Sequence, residues 1–247
     1  MVVRERNVIR LLLAGEDASH HAACTRLFDR VLATQDSTPR SADDSETSLD
    51  PLRTWADHRG RRYIDVHSAF EEARARRLPI RGHFDGQPAA PEAHLWRAVF
   101  HLALDRPDVP DVVVAARDDD GHAVRADGLE QARSLKWPFL IVRAIATQEV
   151  EAWWMAGFDP MDAEERRELA HAAKQLGFDP REQSERLTGG TARDAKRLLE
   201  HLTRADPDRR ATCLETPLEI LETRGSGNGL EQFLRESREA LRSATPA

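Results

Sequence analysis

The densest chemistry in the chain is the triplet Asp118, Asp119 and Asp120, which ends a short apolar run, Val112 to Ala116, set between Pro110 and Gly121. Side chains alternate along an extended backbone, so Asp118 and Asp120 are expected to point one way and Asp119 the other. Two carboxylates brought to one spot repel unless a cation sits between them, and hard oxygen donors favour magnesium or manganese over zinc. The same residues also suit a solvated acidic turn, because Asp-Gly is a common bend. Further acidic groups join the list. Glu16 follows the apolar run Val8 to Ala14, and Glu149 and Glu151 stand in QEVEAWWMAG, just after the apolar run Pro138 to Ala146. Taken alone, Glu149 and Glu151 also suit the first turn of a helix, where acids interact with the helix dipole.

These acids meet only if the runs before them lie side by side. Val112 to Ala116 is too short for an isolated helix and rich in β-branched residues, so it reads as a buried strand. Buried strands without polar alternation belong to parallel α/β sheets, whose ligand sites lie beyond the strands' carboxyl ends. Val8 to Ala14 and Pro138 to Ala146 read in the same way, and a parallel arrangement brings Glu16, Asp118, Asp120 and Glu151 to one edge. After the first strand a helix runs through Leu32, with Ser19 as its expected N-cap and His20 and His21 in its first turn. A histidine there could orient a phosphate or accept a proton, but exposed polar filler is the expectation. Thr147 is the expected cap of the helix that carries Glu151.

Elsewhere, Gln35 to Pro51 is rich in Ser, Thr, Asp and Pro and reads as a flexible insertion. Arg61 to Val66 suggests a short strand, and helices are expected over Ser68 to Arg77, over the segment after Pro91, and over Asp127 to Lys136. Beyond Phe158 the pattern is helical: Asp162 to Leu176, then LTGGTARDAKRLLEHL with Thr191 as N-cap, then Leu214 to Leu221 and Gly229 to Leu241. Exposed amides at Gly189 and Gly190, followed by Arg193, Lys196 and Arg197, could receive a phosphate; a plain helix start fits equally well. This divides the chain into an α/β domain over 1–160, with an insert at about 35–60, and a helical C-terminal region over 161–247 that packs on it.

Composition narrows the partners. With 32% charged and 40% hydrophobic residues in 247, the chain has the profile of a globular protein with a charge-rich surface. No run is long enough to span a membrane and the N-terminus lacks a signal-peptide pattern, so a cytoplasmic location is expected. Cys24 and Cys213 are the only cysteines, which excludes a disulfide framework and a zinc ribbon. A net charge of −7 argues against general nucleic-acid binding but leaves room for a local basic groove, for which Arg74, Arg76, Arg77 and Arg81 are one candidate cluster.

The order strand, Glu16, helix, strand, Asp118-x-Asp120, strand, helix resembles the TOPRIM fold shared by topoisomerases, bacterial primases and the overcoming-lysogenization-defect nucleases. Glu151, Ala152 and Trp153 at a helix start look like a bacterial TOPRIM-related family known as domain of unknown function number 4276, in which Lys196 would match a downstream lysine. The likeness covers about residues 5 to 200. It departs at Ala14-Gly15-Glu16, where many members carry Glu-Gly, and in the first helix, where Ser19 and His20 replace the usual acid.

The resemblance implies a mostly parallel sheet flanked by helices, and Mg²⁺ (or Mn²⁺) held by Glu16, Asp118 and Asp120. It implies catalysis by those three with Glu151, and phosphate contacts from Lys196 and Arg193. Glu16 would share a second metal or accept a proton from water. A topoisomerase needs a tyrosine nucleophile, and Tyr63 stands in a doubtful strand; a primase needs a zinc module. Hydrolysis of a nucleic-acid phosphodiester remains, in phage defence or DNA processing. The other reading is a non-catalytic interaction module working beside an ATPase or other defence partner, with a homodimer compatible with either. Hydrolysis of a small phosphate ester is a third, supported only by the same acids.

Overall fold

A computed structural model describes residues 8–35, 49, 52–122, 124–190 and 193–244. Its centre is a parallel sheet. Strand β1 (Ile9–Gly15) lies between β4 (Val112–Asp118) on one side and two short strands, β2 (Arg53–Trp55) and β3 (Ile64–Asp65), on the other; β5 (Leu140–Ala146) pairs with the far side of β4. Leu11 is level with Val112, and Val112 with Leu140, so β1, β4 and β5 run in step and finish at one edge.

The apolar runs form strands because both faces of the sheet are covered. Leu11, Leu13, Val112, Val114 and Ala116 face one buried layer, with α1 (Ala18–Gln35) and α5 (Glu151–Ala156). Leu12, Ala14, Val113 and Ala115 face the other, against α2 (Val66–Ala75), α3 (Ala93–Leu104) and α4 (Val124–Arg133). Helices α6 (Ala163–Leu176), α7 (Ala195–Leu202), α8 (Pro207–Cys213), α9 (Leu218–Arg224) and α10 (Leu230–Ala244) contribute Leu169, Leu199, Cys213, Leu221 and Phe233 to the first layer. The helical C-terminal region and the sheet therefore share one core. Among the described residues, no helix is long and apolar enough to cross a membrane.

Several local expectations change. The insert expected at 35–60 lies largely outside the described residues, but its end is β2, a strand paired with β1 and held by the Arg53 guanidinium on Asp29 at 2.7 Å. The short strand expected over Arg61 to Val66 shrinks to Ile64–Asp65, because Asp65 already caps α2 through the His67 amide. Asp17, not Ser19, caps α1: its carboxylate accepts the His20 amide at 3.0 Å. Helix α4 starts at Val124 and α5 only at Glu151 after a turn, so Thr147 is no cap. Thr191 lies outside the described residues, and the cap of α7 is Asp194, which accepts the Arg197 amide at 2.9 Å. The helix expected over Leu214 to Leu221 begins only at Leu218, as α9, after Pro217, and a further helix, α8, ends before it at Cys213.

The outer edge of β5 carries a side-chain stopper. Glu236 of α10 accepts the Arg143 backbone amide at 2.9 Å and pairs with Arg133 at 2.9 Å. Arg133, Leu140, Gln232 and Glu239 line an open groove beside it.

Candidate metal centre

The carboxyl ends of β1 and β4 bring three donors together. One oxygen of Glu16, one of Asp118 and one ring nitrogen of His20 all lie within 4.8 Å of one another. Glu16 follows β1 directly, Asp118 is the last residue of β4, and His20 stands in the first turn of α1, which folds back over the strand ends. Gly15 makes that return close: a Cβ there would sit 3.2 Å from the His20 Cβ. The imidazole is buried, with 1% of its surface exposed, and lies between two carboxylates. Nδ1 is 3.0 Å from Asp17 Oδ1 and Nε2 is 3.1 Å from Asp118 Oδ1. His20 is thus part of the centre and not exposed filler.

Asp120, expected beside Asp118, is not in this group. The strand ends at Asp118 and Asp120 has a left-handed backbone with φ of 47°, so the alternation that would align the two stops short. The Asp120 carboxylate pairs with Arg125 at 2.5 Å. Asp119 is spent on holding the backbone. Its Oδ1 accepts the amides of Gly121 at 2.8 Å and Gln148 at 2.7 Å, tying the loop after β4 to the turn after β5. Glu151 is buried at 7% exposure, accepts the Ser19 hydroxyl at 3.3 Å and pairs with Arg210 of α8 at 3.2 Å. Arg193 carries its guanidinium 5.8 Å over the Phe178 ring, and Lys196 is exposed on α7. The Gly190 amide donates to Asp194 at 2.9 Å, so a carboxylate of the chain occupies the place proposed for a phosphate there.

Charge at this edge is unevenly compensated. Arg117, the residue before Asp118, bridges Glu16 at 3.2 Å and Glu92 at 3.0 Å. Burial raises the Glu16 carboxyl above its ordinary value and Asp118 adds to the rise, while Arg117, His20 and His67 oppose it. Burial alone would lower the His20 imidazole, but its hydrogen bonds to Asp118 and Asp17 outweigh that and raise it to about 10. Without a cation, therefore, the ring is itself a cation at neutral pH. Glu149 has no such help. Its Oε2 is buried with no hydrogen-bond partner, and Gly189 packs so close that a Cβ there would fall 2.1 Å from Oε1. Burial, with Asp194, Glu151, Asp118 and Asp120 around it, pushes the Glu149 carboxyl up to about 7.

Both raised groups have the same consequence for stability. A group that binds its proton more tightly when folded favours folding at low pH, and the benefit fades as pH rises through the folded value. For Glu149 this window runs from about 4.5 to about 7, and for His20 from about 6.5 to about 10. Glu149→Gln is expected to leave the melting temperature unchanged at pH 4.5 and raise it at pH 8, by the equivalent of about 1 kcal/mol or more. Equal shifts at both pH values in thermal denaturation would rule out an uncompensated Glu149.

The sequence places Glu16, Asp118, Asp120, Glu149 and Glu151 at this edge and offers His20 as exposed filler, and it gives no part to Arg117 or Arg125 and no reason for Glu149 to be the perturbed acid. Arg117 carried a readable signal, since a charged residue just before the DxD must face opposite to Asp118 at a strand's end. Set beside family models, curated proteins and solved structures, the chain matches none of them.

Proposed function

We propose that the protein is a phosphodiester hydrolase, nuclease-like, dependent on Mg²⁺ or Mn²⁺ held at the carboxyl edge of the sheet. The observation that carries this reading is the meeting of Glu16, His20 and Asp118 within 4.8 Å from two strand ends and a helix start. The donor set fits a divalent cation, and the buried Glu149 Oε2, which has no hydrogen-bond donor, feels the charge of Asp118. A bound cation supplies Lewis acidity toward a phosphoryl oxygen and lowers the pKa of a bound water. The chain's own part is to fix that centre and to move a proton. Glu16 and Asp118 offer oxygen donors whose positions are set by Arg117 and His20. Glu149, whose carboxyl burial and the acids around it push up to about 7 before a cation binds, is the carboxyl suited to take a proton from attacking water. Glu151, neutralised by Arg210, orients Ser19 and the start of α1. Lys196, with Arg193 near it in sequence, is the basic group available to a nucleic-acid backbone. The resemblance to the TOPRIM nucleases points the same way.

Incubation of labelled single- and double-stranded DNA and RNA with the protein in Mg²⁺ or Mn²⁺ tests this, with chelator as control. Cleavage that chelator stops is the expected result, and nucleotides should be poor substrates beside oligonucleotides. Intact nucleic acid with both metals removes the enzymatic reading.

One observation favours the second reading, a non-catalytic module that docks on an ATPase or other defence protein. Glu16, Asp118, Asp120 and Glu151 each have a cationic partner within the chain, in Arg117, His20, Arg125 and Arg210. Under that reading neither metal binds, and partner capture is unaffected by Asp118→Ala.

A further inference from the structure

We propose that His20 is a ligand of the cation at this edge, so that the centre takes a first-row transition-metal dication, Mn²⁺ among them, in preference to Mg²⁺. The inference deepens the reading above, since it assumes a divalent cation between Glu16 and Asp118.

The argument begins with the ring's two nitrogens. A metal-bound imidazole points one nitrogen at the metal and donates its other N–H to a carboxylate or carbonyl, which fixes the tautomer and makes the ligand more basic. His20 has that arrangement. Nδ1 faces Asp17 at 3.0 Å, and Nε2 faces Asp118 within the three-donor group. Asp17 lies outside that group and is itself held, because its carboxylate also accepts the His20 amide at 3.0 Å and caps α1. The ring cannot swing away, being buried at 1% exposure. The metal takes the place of the proton on Nε2, which passes to solvent, and Nδ1–H stays on Asp17.

Donor chemistry then sets the choice of ion. Magnesium prefers oxygen donors and retained waters, whereas imidazole suits the transition metals. A centre serving magnesium alone has no use for a buried imidazole within 4.8 Å of both its carboxylates. The Glu149 oxygen is an observation apart from this triad. Oε2 is buried without a partner, and Asp118 and Asp120 are among the charges that bear on that carboxyl. That oxygen has no hydrogen-bond donor even with His20 present.

The test uses the full chain with MnCl2 and with MgCl2, by calorimetry and by electron spin-echo spectroscopy of bound Mn²⁺. The expected results are Mn²⁺ binding at least about tenfold tighter than Mg²⁺, and a ¹⁴N coupling typical of bound imidazole. His20→Asn should remove the coupling and most of the Mn²⁺ preference. Asp17→Asn keeps the helix cap and the ligand but weakens the hold on Nδ1. It should retain the coupling and lose affinity for Mn²⁺ by about tenfold or more. If His20→Asn does not fold, wild type and Asp17→Asn decide the matter. Bound Mn²⁺ without nitrogen coupling, equal affinity for the two ions, or no binding of either overturns the proposal. Metal-dependent cleavage without nitrogen coupling would remove His20 from the coordination sphere and leave the hydrolase standing. Nitrogen coupling without cleavage of any substrate would do the reverse.

Discussion

Replacing Asp118 with asparagine is expected to lower metal affinity and metal-dependent cleavage by about 100-fold or more, since removing a direct ligand should cost at least as much as removing its hydrogen-bonded support. The side chain keeps its shape, so β4 and its pairing with β1 and β5 should persist. What changes is the charge at the centre. His20 loses its Nε2 carboxylate and keeps only Asp17, so its imidazole should titrate well below the value of about 10 it has in the wild type. The change is readable by NMR of the ring protons in chelator, where no cation interferes. Stability in chelator should fall at pH 6 and differ less from wild type at pH 10, where the wild-type ring is giving up its proton and the variant's has already lost it. Unchanged metal binding, or an unmoved His20 titration, would break the link drawn here between the ring and the carboxylate.

The largest expected loss of stability comes from Asn228→Ala, far from the acids in sequence but tied to the turn that carries them. Asn228 is fully buried. Its amide donates to the Ala152 carbonyl at 3.1 Å and the Ser184 hydroxyl at 2.7 Å, and its Oδ1 accepts the Leu230 amide at 3.0 Å. Alanine would leave those partners buried and unpaired, at about 1 to 3 kcal/mol for each group that water cannot reach. We expect a total of about 3 kcal/mol or more, and a fall in melting temperature of about 6 to 12 °C for a chain of this length. The loss should extend to the site. The Asn228 carbonyl accepts the Thr147 amide at 3.0 Å and the Trp153 indole N–H at 2.9 Å, which brace the turn before Glu149 and Glu151. A change below about 2 °C by calorimetry would mean the pocket admits water in place of the side chain.

How much of this was legible in the sequence follows the range of the interactions that decide it. Strands β1, β4 and β5 declare themselves because a strand covered on both faces must be apolar at successive positions. Their shared direction brings Glu16, Asp118 and Glu151 to one edge. Strand β2 was unreadable: Arg53, Thr54 and Trp55 carry no apolar pattern, and what holds them is Asp29 in α1, through the Arg53 guanidinium and the Trp55 indole N–H. His20 and His21 are indistinguishable as text, and only the distant Asp118 makes one of them a buried part of the centre. Glu149 and Glu151 differ for a similar reason. Arg210 of α8 reaches Glu151, while Gly189 lets the chain close on Glu149 without offering it a donor. Asp120 shows a local limit, because period-two alternation holds only while the backbone stays extended, and here it turns left-handed.

The Glu236 carboxylate on the Arg143 amide bears on how copies of the chain meet. A bare outer strand invites a second molecule to add its own strand, the first step toward ribbons and fibres. An acid seated on one of the ladder's donors uses up a bond the newcomer would need and sets a negative charge in its path. The sheet can thus stay open at β5, its last rung, without becoming adhesive.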